Sequence, residues 1–195
     1  ETGQRARFAE VVSRGDEGAT VCALLLRLGL SAVRTQPRDG FVADAVIDVV
    51  AGVLDASARS GSTPSRAARA LRDFGLIAMP HPLLAPRVGE GRAILDTDFS
   101  EDEAPDPDIV PSLLLSLLAW ARTALADRTI AHPSVVDLVA RDLLGFPLGH
   151  GSLCRHLTVE RVRAWCAQDG ARALVSATTI RSAEEYVSRG HDFYR

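Results

Sequence analysis

Most of this chain repeats its apolar residues at three-and-four spacing, the period of a helix with one buried face. Residues 5–14 read as a short amphipathic helix stopped by Gly15. In 19–34, Val21, Cys22, Leu24, Leu25, Leu26, Leu28 and Leu30 point in nearly every direction, which predicts a central helix buried on all sides. Residues 41–59 carry a stripe through Val42, Val46, Val49, Val50 and Val53, with Asp44, Asp48 and Asp55 off it. Residues 64–74 have the clearest terminal signals: Thr63 as N-cap, Pro64 at the first helical position and Gly75 at the C-terminal end.

A second core helix is predicted over 109–126, through Leu113, Leu114, Leu117, Leu118 and Ala121. Residues 133–144 make another, opened by Pro133 and closed by Gly145. A turn occupies 145–157, and Thr158 caps a helix running to Gln168. The last helix begins near Thr179 or Ser182, where Ser182 and Glu185 have capping-box spacing, and ends near Gly190. No segment alternates like a strand, and no hairpin signal is present. The expected fold is therefore all-α: a compact bundle of about seven helices around 19–34 and 109–126. Glu1-Thr2-Gly3 resembles a vector remnant, so residues 4–195 are read as one helical domain. Pro80, Pro82, Pro86, Pro105 and Pro107 make 75–108 a long loop within it, expected to be exposed.

Composition supports a packed domain: 47% of residues are hydrophobic and 24% charged. The net charge of −3 opposes a general nucleic-acid binder, and the apolar run from Ile109 to Ala121 is too short for a membrane span. All 22 basic residues are arginine, and asparagine is absent as well. That bias is the mark of a G/C-rich gene, such as one from an actinobacterium or a large DNA virus. The three cysteines do not form a disulfide framework, which favours an intracellular setting.

Three groups carry candidate chemistry. Arg66, Arg69 and Arg72, three apart, form a basic helical stripe that could meet a partner. Residues 96–108 hold seven carboxylates and no base, and Asp98, Glu101, Asp102 and Glu103 could hook a basic protein surface. The alternation of Asp96, Asp98, Ser100 and Asp102 starts like a calcium loop. It then fails, with Glu101 where glycine is needed and Pro107 where glutamate is needed. His150, Cys154, His156 and Cys166 could supply a zinc shell of nitrogen and sulfur, although their spacing matches no zinc motif. Without metal they are surface histidines and ordinary thiols, with Cys154 open to thiol reagents.

A helix-turn-helix over 158–189, with Arg161, Arg163, Arg172 and Arg181, has too long a connection from Gly170 to Thr178. No phosphate-binding glycine loop, nucleophile elbow or HExxH pattern occurs. The chain is accordingly read as a non-enzymatic interaction or scaffold module, free of cofactor, with another protein or a second copy as partner. One alternative is a zinc-stabilised helical domain that binds a partner or nucleic acid. A second is an enzyme with a site under the 75–108 loop.

Overall fold

The chain begins with a small parallel unit. Strand β1 (Phe8–Val12) leads into helix α1 (Glu17–Arg27), which crosses to strand β2 (Ser31–Thr35). The strands pair in parallel from Phe8 opposite Ser31 to Val12 opposite Thr35. A parallel pair needs a crossover connection, and α1 supplies it. Then come α2 (Val42–Arg59), α3 (Pro64–Phe74), α4 (Arg92–Asp96), α5 (Ile109–Ala126), α6 (Pro133–Leu144), α7 (Leu153–His156), α8 (Val159–Cys166), α9 (Asp169–Ala173) and α10 (Ala177–Arg189). This computed structural model describes residues 8–37, 40–76, 84–97 and 102–194.

The architecture is mainly helical, with one contiguous apolar core. Its centre is the pair α2 and α5. Val46, Ile47, Val50 and Leu54 of α2 are buried, as are Leu113, Leu114, Leu117 and Leu118 of α5. Helix α5 has the length and apolarity of a membrane-crossing segment. Here it is the core helix, closed off by α2, α6, α8 and α10. Tyr186 of α10 reaches across the bundle and donates its hydroxyl to the Leu157 carbonyl at 2.6 Å.

The N-terminal expectations need correction. Residues 8–12 are a strand, and the helix expected over 19–34 ends at Arg27. Gly29 adopts φ +76, the left-handed turn that stops a helix, and Leu30 N–H returns to the Leu25 carbonyl. Val33 and Thr35 of β2 then face inward. Nor is α1 a buried centre: Gly18 is its one buried residue. Apolar residues all round a helix require burial only if elements surround it, and among the described residues α1 packs chiefly on the thin sheet.

Part of the 75–108 loop is also structured. The aspartates lying off the α2 stripe bind it. Arg87 reaches Asp44 Oδ1 at 2.6 Å and Asp48 Oδ1 at 2.9 Å. Asp55 accepts main-chain N–H groups from Gly89 at 2.9 Å and Gly91 at 2.8 Å. Leu84, Val88 and Ile94 enter the core behind these contacts. At the other end of the chain, α10 starts at Ala177, because Ser176 rather than Ser182 caps it and accepts from Thr179 N–H. Ser182 and Glu185 instead meet Arg122 of α5.

Candidate functional site

The outward flank of α1 departs from a sealed globule. Cys22 and Leu25 are half-buried toward the sheet, and Gly18 lets the helix lie close. A Cβ there would sit 2.5 Å from Ser13 Cβ. On the adjoining flank, about a quarter-turn round the helix, Val21 is 43%, Leu24 54% and Leu28 76% exposed, and Leu26 on the other side is 56% exposed. The i, i+3, i+7 spacing of Val21, Leu24 and Leu28 aligns them in one stripe. Glu17 lies in the first turn and Arg27 in the last, each sign suited to its end of the helix dipole.

The second feature is an open groove of about 1350 Å³ bounded by α2, α5 and the α9–α10 corner. Val49, Val53, Trp120 and Leu174 give it an apolar floor. On α2 the outward positions Ala45, Gly52 and Ala56 are small, so that side is hollow. A Cβ on Gly52 would have no atom within 4 Å. Asp44 and Asp48, with Arg87 across them, lie at one end, and exposed Arg59 lies at the other.

Two groups proposed from the sequence as partner surfaces are engaged with each other. Arg66 Nε donates to the Ala104 carbonyl at 3.2 Å, and Arg69 donates to the Glu103 carbonyl at 2.8 Å. Asp106 N–H bonds the Arg66 carbonyl at 3.1 Å, and Thr63 donates to Glu103 Oε2 at 2.9 Å. Ser62 donates to Asp106. The basic helix therefore seats the acidic segment through main-chain contacts and hydroxyls. Arg69 also pairs with Asp73. Arg72 and Asp102 are exposed and each has a partner. Asp98 and Glu101 lie outside the described residues.

The His/Cys group divides. His150 and His156 come together, ring centres 5.2 Å apart, among Phe74, Phe146 and Trp165. His150 stacks on Phe74 at 4.4 Å. His156 is buried, and Arg161 donates to its Nδ1 at 2.8 Å. A guanidinium can only donate, so the neutral ring carries its proton on Nε2. Burial lowers the His156 pKa to about 4, and the Arg161 and His150 charges add to the shift. Cys154 points elsewhere, its Sγ 3.6 Å from the Pro133 carbonyl. Among the described residues no three His, Cys, Asp or Glu side chains are grouped to hold a metal ion.

Cys154 is also not the reagent-accessible thiol expected of a flexible turn. It is 1% exposed, and burial pushes its thiol well above the ordinary range, with Asp137 reinforcing the shift. Two of the four arginines considered for DNA contact make contacts within the molecule. Arg161 serves His156, and Arg172 serves the Cys166 carbonyl and Glu184.

Neither the α1 stripe nor the groove was visible in the sequence as a site. The usable signals were Gly29, which ends α1 early, and the run of small residues along α2. No family model, no curated protein and no solved structure matches the chain.

Proposed function

We propose that this chain is a non-enzymatic interaction or scaffold module whose binding face is the outer flank of α1. One observation carries the reading: Val21, Leu24 and Leu28 form a continuous apolar stripe that the fold leaves in solvent. Each fully buried leucine or valine contributes about 1.5–3 kcal/mol relative to exposure, so covering the stripe is favourable for any complementary surface. The candidate polar surfaces support this choice by elimination, since Arg66, Arg69 and Glu103 are already engaged within the molecule.

The test replaces Val21, Leu24 and Leu28 by serine together. The variant keeps the native melting temperature within a few degrees, because the stripe contributes little to the core. It also loses association, read as light-scattering mass for the protein alone and as complex formation with any purified partner. A variant that unfolds would make the stripe a part of the core. One that associates like the native protein would remove α1 as the binding face.

A further inference from the structure

The two uncovered apolar features complement each other. The α1 stripe is convex, with an acid at its start and a base at its end. The groove along α2 is concave, with Asp44 and Asp48 bridged by Arg87 at one end, two acids to one base, and the exposed base Arg59 at the other. We infer that the occupant of this groove is α1 from a second copy of the chain, so that copies assemble head to tail. The inference rests on the reading of α1 as a binding face and names its partner.

The spacing fits an antiparallel placement. Glu17 and Arg27 are ten residues apart, about 15 Å along a helix, and Asp48 and Arg59 are eleven apart, about 16 Å. With α1 running against α2, Glu17 meets Arg59 and Arg27 meets the Asp44/Asp48/Arg87 cluster, which holds one more acid than base. Val21, Leu24 and Leu28 then lie over Val49, Gly52, Val53 and Trp120. The helix dipoles also oppose. An amphipathic helix laid in an apolar groove is a recurrent recognition mode. Because donor and acceptor surfaces differ, the contact is heterologous, and repetition gives a ring or an open filament.

The test uses complementary variants of the full chain. One carries Leu24→Asp with Leu28→Asp and keeps the groove. The other carries Gly52→Arg and keeps α1; no atom lies within 4 Å of a Cβ at that position, so the fold tolerates the change. Thermal melts establish that both are folded. The native protein shows a light-scattering mass above the monomer that rises with concentration. Each variant alone is monomeric, and an equimolar mixture forms a one-to-one complex.

A mixture that stays monomeric overturns the inference. So does a Gly52→Arg variant that still self-associates, which would indicate α1 pairing with α1. A native protein that stays monomeric overturns the second copy as partner and leaves α1 to a different chain. A stripe variant that associates like the native protein overturns the α1 reading itself. In the mixture, Glu17→Arg on the α1-bearing copy weakens pairing by up to roughly fivefold. Adding Arg59→Glu to the groove-bearing copy restores it, and failure to restore overturns the antiparallel placement.

Discussion

Glu10 of β1 accepts the N–H of Val42, the first residue of α2, at 2.9 Å. The same carboxylate accepts Ala43 N–H at 3.2 Å and the Thr35 hydroxyl at 2.9 Å. The residue preceding α2 is Phe41, which offers no side-chain cap. Glu10 therefore does the work of an N-cap from thirty-odd residues away, and its charge suits the positive end of the helix.

Glu10→Ala is expected to cost about 1–2 kcal/mol, the range of a lost helix cap. It should also raise amide exchange in β1, α1 and β2 more than in α5. Glu10→Gln keeps one acceptor and loses the charge, so its cost lies between alanine and native. Equal exchange in the two regions would show that the carboxylate does not fasten the N-terminal unit.

Two glycines on α2 or against it should behave oppositely. A Cβ at Gly91 would sit 2.6 Å from the Leu54 carbonyl carbon and 2.9 Å from the Asp55 nitrogen, both backbone atoms. Gly91→Ala therefore forces the 84–96 segment off α2, at a cost of about 1–3 kcal/mol. Gly52 lies inside α2 with open space around it, so Gly52→Ala gains about 0.5–1 kcal/mol. Denaturant midpoints for the pair decide it, and a destabilised Gly52→Ala would contradict the open groove wall.

The clamp on residues 102–106 can be read by protease. Replacing Arg66 and Arg69 by serine removes their bonds to the Ala104 and Glu103 carbonyls. The segment should then open locally and be cut faster between Asp102 and Asp106, with the global melt little changed. An unchanged cleavage rate would assign the clamp to Thr63, Ser62 and the Asp106 N–H instead.

His156 makes stability depend on acid. In the unfolded chain it takes a proton near 6.5, and in the folded protein near 4. Between those values the unfolded state holds more protons, so stability is full above about pH 6.5 and falls as the pH drops toward 4. The loss is on the order of 3 kcal/mol across the window. Denaturant midpoints measured across that window should fall in the native protein and fall less in His156→Gln. Parallel curves would remove His156 as the cause.

The helices of the core were legible because their signals were redundant. Helix α5 shows a sustained apolar pattern, and α3 carries Thr63, Pro64 and Gly75 at its ends. Both were read to within a residue. The N-terminal unit was not legible, because VCALLLRLGL satisfies a buried helix as well as an exposed one. Only tertiary context tells which neighbours are present, and here there are two short strands. Their pairing is non-local and leaves no hairpin signal between Val12 and Ser31. The acidic run read as free for the same reason. Charge counting sees carboxylates, whereas Arg66 and Arg69 hold the run by its Ala104 and Glu103 carbonyls and the Arg66 carbonyl takes the Asp106 N–H.

The parallel β1–α1–β2 unit has a consequence for how the chain can change over generations. Its outward leucines stabilise almost nothing in the core, and the core residues of α2 and α5 do not reach its outer face. The side chains that fill the core and the apolar side chains left in solvent on α1 are thus separate sets. Substitutions at Val21, Leu24 or Leu28 alter that face at little structural cost. On the proposed reading of α1 as a binding face, a lineage carrying this fold is free to remodel that helix while keeping what holds the interior together.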